Sequence, residues 1–224
     1  MGSLTAHVPK PLVAVGGQPI LWHVMNLFAR QGLREFVLGL GYEGRQIHDY
    51  LTQGAPSRAD WAVEAIDTGL DTQTGGRIKR LQPWLGDNTF FLTWADGLAN
   101  IDLGSLLRFH QAHGCLATVT AVNPPSRFGR LQLEGDQVSA FHEKPVLRDE
   151  WINAAFFILE PGIFDYIDGD DMQWEREPMS KLAAEGQLMA YRHAGFWQCM
   201  DTPGERDLLE SLWAGGNPPW TGQD

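Results

Sequence analysis

Basic residues are scarce in this sequence: 17 lysines and arginines stand against 28 aspartates and glutamates, a formal net charge of −11 over 224 residues. Binding a long polyanion such as DNA or RNA needs a broad basic face, so this balance excludes a nucleic-acid partner. It leaves room for a small phosphate ligand held by a few local cations, and GGRIKRL, from Gly75 to Leu81, is the main place where they gather. Cysteine is scarcer still. Cys115 and Cys199 lack metal-type spacing and are too few for a disulfide framework, which fits a reducing cytoplasm and points to buried thiols. No apolar run reaches the length that crosses a bilayer, FVLGLGY and AAFFIL being among the longest, and no basic stretch followed by an apolar block opens the chain. The expectation is a soluble, cytoplasmic protein with no membrane partner. Internal repeats and low-complexity segments are absent as well.

What is present is enough apolar material, 43% of residues, to bury one substantial core, so residues 1–224 are expected to form a single domain. Ile20, Leu21, Val24, Leu27 and Phe28 recur at helical spacing between Pro19 and Gly32, which predicts a helix. EFVLGLGY reads as a buried strand, EGRQIHDYL as a helix, WAVEAIDTG as a strand, GRIKRLQPWL as a helix up to its proline, and TFFLTWADG as a strand covered on both faces. LGSLLRFHQAHG and LATVTAV repeat the alternation. Helix-length connections between such strands predict an α/β fold, a Rossmann-like, mostly parallel mixed sheet flanked by helices. GRLQLEGDQVSAFHEKP then predicts a β-hairpin insertion turning at Glu134 to Gln137, followed by a strand at INAAFFIL, a helix in EPMSKLAAEGQL, a strand near LMAYRH and a last helix at GERDLLESLW.

In open α/β sheets ligands gather at the carboxyl ends of strands, where Asp67-Thr68-Gly69 and Asp96-Gly97 fall. An aspartate there, beside a glycine that leaves space, suits Mg²⁺ on a nucleotide phosphate, although a turn or capping aspartate has the same local appearance. FHEKP, Phe141 to Pro145, offers a carboxylate for sugar hydroxyls and an ammonium for a phosphate, or else a solvated charge pair. Asp201-Thr202-Pro203 reads as a helix cap or as a second metal carboxylate.

Taken in order, PKPLVAVGGQPILWHVM, DTGLDTQTGGRIKRL, WADGLANID, FHQAHGCLATVTAVNPPSRFG, FHEKP, INAAFFIL, WEREPM and GFWQCMDT resemble the sugar-1-phosphate nucleotidyltransferases over nearly the whole chain, with TGGRIKR and GFWQ-x-MDT closest to the glucose-1-phosphate cytidylyltransferases. The resemblance implies that Lys10 contacts the nucleotide triphosphate, that Thr72 and Arg77 contact CTP, and that Ala95, standing where the family usually has glycine, runs its backbone beside the nucleotide. It implies that Asp96 and Asp201 together hold Mg²⁺, that Glu143 binds the sugar, Lys144 the sugar phosphate, and Asn153 the sugar region, with Ala154 and Ala155 replacing two family glycines. Lys79 and Arg80 are expected to serve surface or structure. The implied reaction joins CTP and glucose 1-phosphate to give CDP-glucose and pyrophosphate, with Lys10, Asp96 and Lys144 as the catalytic set, and kinship implies a homo-oligomer.

The resemblance further implies a first strand and a glycine-rich turn ending in Gly-Thr-Arg. Aligned on Lys10, that arginine falls immediately before Met1 and Thr5 matches a threonine that follows the turn, so a misplaced start or a truncated ancestral enzyme is expected. The segment between Tyr50 and Trp61 is about twenty residues shorter than in related cytidylyltransferases, a change loops tolerate. The alternative function is a non-catalytic paralogue that binds nucleotide or sugar phosphate. A metal-dependent glycosyltransferase ranks last, because Ala95-Asp96-Gly97 is not an Asp-x-Asp pair.

Overall fold

The structure, a computed structural model, describes residues 8–53, 60–126 and 128–222. The expectations attached to Thr5 and the start of the chain lie outside the described residues. A 3-10 turn at Lys10–Leu12 leads into a minimal hairpin, β1 (Ala14–Val15) against β2 (Gln18–Pro19). Gly16 and Gly17 form its turn at φ of 59° and 77°, conformations glycine adopts without a Cβ clash. At Gly16 the absent Cβ has a second use, since one built there would sit inside the Trp213 ring.

Helix α1 (Ile20–Arg30) follows, with nine of its eleven residues buried, so it runs through the interior and takes His23 and Asn26 inside with it. Gln31 ties its end to the next layer, donating to the Leu27 and Ile101 carbonyls and accepting from the Leu103 amide. Strand β3 (Glu35–Leu40), helix α2 (Gly44–Gln53) and strand β4 (Ala62–Asp67) form a right-length crossover unit, with β3 and β4 parallel from Glu35 opposite Ala62 to Leu40 opposite Asp67. Helix α3 (Thr74–Arg80) ends before its expected stop. The chain restarts as α4 (Gln82–Leu85) with Pro83 in the first turn, where a missing N–H breaks no helical bond.

Strand β5 (Phe90–Thr93) and the three-residue β6 (Gly97–Ala99) precede helix α5 (Leu103–His113), whose Asp102 cap accepts from the Ser105 amide and whose exit is Gly114 at φ 67°. Then come β7 (Ala117–Val122), the hairpin β8 (Arg130–Glu134) and β9 (Gln137–His142), strand β10 (Ile152–Leu159), helix α6 (Glu177–Ala184), β11 (Leu188–Arg192), the short β12 (Trp197–Cys199) and helix α7 (Pro203–Ala214). The main sheet has the order β11-β7-β10-β5. β11 is parallel to β7, and β10 is antiparallel to both β7 and β5, so three of the four strands share one direction. Among the described residues β5 pairs on one side only, as does β3.

β10 shows why this sheet sits in the middle of the molecule. Phe156 and Ile158 enter a core with Val15, Ile20, Phe28, Leu98, Leu103 and Leu209, whereas Phe157 and Leu159 enter a second core with Ile163, Trp174 and Leu182. Alternate residues thus fill opposite faces, the arrangement expected of a strand covered by helices on both sides. Each such fully buried side chain contributes about 1.5–3 kcal/mol relative to exposure. The cysteine expectation needs correction. Cys115 and Cys199 are free but only partly buried, Cys199 because it lies on an edge-like three-residue strand rather than in either core.

Candidate active site

Lys10 stands between Pro9 and Pro11, whose rings restrict the backbone, and the Leu12 amide closes the turn on the Pro9 carbonyl at 2.8 Å. The side chain therefore leaves from a stiff base. Its ammonium reaches Asp96 Oδ2 at 2.7 Å and Asp201 Oδ1 at 2.5 Å.

Two residues separated by about half the chain meet here because β6 and β12 pair. Antiparallel register puts Gly97 opposite Cys199, which carries Asp96 to the level of Met200 and leaves Asp201 one residue further along, near enough for Lys10 to touch both carboxylates. The Met200 amide donates to the Asp96 carbonyl at 2.9 Å and extends the ladder to that point, while the fully buried Met200 side chain anchors the crossing. Behind Asp201 lies a capping box: Thr202 accepts from the Glu205 amide, and Glu205 Oε2 accepts from the amides of Asp201 and Thr202 at 2.7 and 2.8 Å. The cap role and the carboxylate role are thereby divided, Thr202 capping α7 and Asp201 turning its side chain to Lys10.

Burial alone would lower the Lys10 pKa, but the hydrogen bonds to Asp201 and Asp96 outweigh it and hold the ammonium above the ordinary lysine value. Cys199 shifts in the same direction, which for a thiol favours the neutral form. Burial, with Glu205 and Asp201 nearby, pushes its thiol up to about 12, so it remains protonated. Its sulfur lies within 4.8 Å of Asp201 and Glu205 oxygens. That trio makes a poor cation site, because the thiol keeps its proton and Glu205 is engaged with two backbone amides. Asp96 and Asp201 fit a hard divalent cation better: they present carboxylate oxygen, and one cation already bridges them.

Beside Lys10 opens a cavity of about 530 Å³ lined by Pro9, Gly41, Tyr42, Ile47, Arg77 and Asp201 among others. Arg77, from α3, donates to the Leu40 carbonyl at 2.9 Å, the Thr68 hydroxyl at 2.7 Å and the Leu70 carbonyl at 3.2 Å. Burial, followed by the neighbouring Arg80, lowers its pKa from the usual arginine value, yet the group stays charged. Gly41 makes the position available, since a Cβ there would lie 2.3 Å from Arg77 Nη2. The structure thus brings Lys10, Arg77, Asp96 and Asp201 together, and Ala95 stands next to Asp96 with its side chain against the Leu21, Met25 and Leu40 cluster.

The remaining expected residues are placed differently. Thr72 is buried in the β4–α3 turn beside Gly69, and among the described residues no hydrogen bond or ion pair joins it to Lys10 or Asp96. Glu143 and Lys144 follow β9, exposed and 3.9 Å apart, with Lys144 at φ 45°; among the described residues no hydrogen bond or ion pair joins them to Lys10 or Asp96. Asn153 Oδ1 accepts from the Ala155 amide at 2.7 Å, bending β10 so that Ala155 takes φ 61°, a region alanine occupies under strain. The Ala154 carbonyl accepts from Trp197 Nε1 at 2.9 Å, which fastens this bend to β12 and so to the Asp96 side of the sheet. Lys79 and Arg80 are structural: Lys79 donates to the Phe164 and Ile167 carbonyls, and Arg80 pairs with Asp170.

Sequence reasoning missed the work of Gly75 and Gly76. A Cβ on Gly75 would lie 2.8 Å from the Met172 carbonyl, and one on Gly76 2.5 Å from Asp170 Cα, so the pair admits the 170–174 backbone against α3. Thr74 completes this junction, accepting from the Trp174 amide and donating to Glu175. The available signal was the glycine pair itself, since two glycines inside a helical segment cost stability and so mark a close approach. Tyr42, 62% exposed at the cavity mouth, was also missed, because a lone aromatic after a strand carries no pattern.

A family model described as Nucleotidyl transferase matches residues 1–202. The glucose-1-phosphate cytidylyltransferase of Salmonella typhi is 41% identical over 232 residues, covering 95% of this chain and 90% of that protein. The probable glucose-1-phosphate cytidylyltransferase of Bacillus subtilis (strain 168) is 40% identical over 244 residues, covering 98% and 94%. Among solved structures, HddC from Yersinia pseudotuberculosis matches with a TM-score of 0.74 at 22% identity, covering 92% of this chain and 90% of that one. UDP-glucose pyrophosphorylase in complex with UDP-glucose matches with a TM-score of 0.72 at 15% identity, covering 95% and 93%; likenesses at such identity reflect a shared fold. With its sequence matched over most of its length and its strands and helices superposing on these structures, the chain belongs to the nucleotidyl transferase family.

Proposed function

We propose that the protein is a glucose-1-phosphate cytidylyltransferase, active in the cytoplasm as a single-domain subunit. The observation that carries this reading is the convergence of Lys10, Asp96 and Asp201 at one edge of a cavity of about 530 Å³, in a chain 40–41% identical to proteins of that name. A phosphate oxygen of glucose 1-phosphate attacks the α-phosphorus of CTP, the bond to the β-phosphate oxygen breaks, and pyrophosphate leaves with that electron pair. Such a transfer needs no protein nucleophile, only positioning and charge neutralisation.

Lys10 and Arg77 are the cations of the cavity and are assigned to the triphosphate. Thr72 and the backbone at Ala95 are assigned to the nucleotide side. Glu143 and Asn153 are assigned to glucose hydroxyls and Lys144 to the sugar phosphate, delivered from the exposed strap after β9. Asp96 and Asp201 would hold Mg²⁺, which when bound supplies neutralisation of the phosphate charge. The test offers Mg²⁺, glucose 1-phosphate and each of CTP, UTP, ATP, GTP and dTTP in turn, with mass spectrometry of the products. CDP-glucose and pyrophosphate from CTP are expected; no product from any nucleotide overturns the reading.

Self-association is assigned to the β8–β9 hairpin. An isolated two-stranded ribbon is marginal in water, yet this one exposes Leu131, Leu133, Val138 and Phe141 along one face. At its base Arg130 and Lys144 already pair with Glu150 and Glu143, so the apolar face is the part left to be covered. Two copies packed through these faces would remove them from water. Light scattering should show an oligomer for the natural chain and a smaller species for Leu133→Lys; equal masses would remove the hairpin from the interface.

A further inference from the structure

Resting on that reading of the cleft, we propose that Lys10 is a resident stand-in for the divalent cation: it holds Asp96 and Asp201 together in the unloaded protein and transfers to the triphosphate when nucleotide and metal enter. Three features of the geometry carry this. First, one ammonium touches both carboxylates, at 2.7 and 2.5 Å, in the position a cation shared by them would take. An ammonium has three donors, so it satisfies both while keeping one for another acceptor. Second, the Pro9-Lys10-Pro11 turn fixes the backbone, which leaves the four-carbon stem as the moving part. Third, the cavity lined by Arg77, Gly41 and Tyr42 adjoins Lys10, so a swing of the side chain alone moves its charge from the carboxylates toward the second cation of the site.

Two consequences separate this arrangement from an ordinary structural ion pair. A metal arriving alone must displace the lysine from two charge-assisted hydrogen bonds, so the unloaded protein binds it weakly. A triphosphate that accepts the lysine removes that competitor, and metal and triphosphate strengthen each other's binding by the same factor. Removing Lys10 must therefore affect the two ligands with opposite signs.

The experiment measures Mn²⁺ alone, by electron paramagnetic resonance, and CTP without metal, by calorimetry, on the natural chain, Lys10→Met and Lys10→Gln. Circular dichroism and thermal melting verify that each variant is folded. Both variants should bind Mn²⁺ at least about tenfold more tightly and CTP at least about tenfold more weakly, the effect of one charge-assisted hydrogen bond on each side. Folded variants whose Mn²⁺ affinity is unchanged or lower refute the stand-in role and leave the cytidylyl reading intact. If neither Mn²⁺ nor CTP binds any of the three proteins, separately or together, the cytidylyl reading and this proposal fall together.

Discussion

Replacing Gly76 with alanine tests whether the glycine pair of α3 serves tertiary packing. In an isolated helix this change is favourable by about 1 kcal/mol, because alanine loses less backbone freedom on folding. Here the new Cβ would lie 2.5 Å from Asp170 Cα and 2.7 Å from the Asp170 carbonyl oxygen. Those are backbone atoms, and the segment cannot easily retreat: the Asp170 carbonyl accepts from the Gln73 amide at 2.7 Å, and its carboxylate is held by Arg80. Overpacking of this kind costs about 3 kcal/mol, the upper end of the usual range, since no flexible side chain can give way. The net loss is about 2 kcal/mol after the helix-propensity gain, which in a chain this long lowers the melting temperature by about 4–8 °C. Gly204→Ala on α7 is the matched control. Nothing lies within 4 Å of its Cβ position, so it should gain about 0.5 kcal/mol and melt 1–2 °C higher. Urea unfolding with an unchanged slope would assign both shifts to the folded state's stability. A Gly76→Ala protein that melts at or above the natural chain would show that the 170–174 segment does not press on α3.

Gly41→Ala should displace the Arg77 guanidinium, whose Nη2 lies 2.3 Å from the Cβ position, and raise the KM for CTP with little loss of melting temperature; an unchanged KM would detach Arg77 from the nucleotide. Ala155→Gly relieves the positive φ of 61° and should stabilise the chain by about 0.5 kcal/mol after the entropic cost of glycine, read from urea midpoints. Cys199, with its thiol pushed up to about 12, should resist iodoacetamide at pH 8, and rapid labelling mapped by mass spectrometry would contradict that upward shift. The raised Lys10 pKa makes its ion pairs a stabilising contribution that is complete below the ordinary lysine pKa and is lost as pH rises through the folded value. The melting-temperature gap between the natural chain and Lys10→Met should therefore be constant from pH 7 to 9 and narrow only in stronger alkali; narrowing already near neutrality would refute the pairing.

Much of the fold was legible because long elements carry periodicity. The i, i+3, i+4 pattern from Ile20 to Phe28 marks α1, and the unbroken apolar run at INAAFFIL marks a strand buried on both faces. The direction of β10 was not legible, because a doubly covered strand has the same composition whichever way it runs. β6 and β12 were invisible for another reason: three residues hold no period, and their pairing is a long-range event between Gly97 and Cys199. That pairing is what lets Asp96 approach Asp201, so the sequence showed two candidate carboxylates through resemblance while the means of joining them lay in tertiary structure. The same holds for Gly75 and Gly76, whose packing role could not be read because the atoms that approach them belong to residues 170–174, about a hundred positions away.

The central claim is that Asp96 and Asp201 act as one cation-holding pair for nucleotide in the cleft. A double-mutant cycle on Mn²⁺-dependent CTP binding, with Asp96→Asn, Asp201→Asn and both together, measures it by calorimetry. The account predicts that each single change removes most of the metal-dependent gain in affinity and that the second adds little. Losses that simply add, or a single variant that retains the full metal-dependent gain, would contradict it.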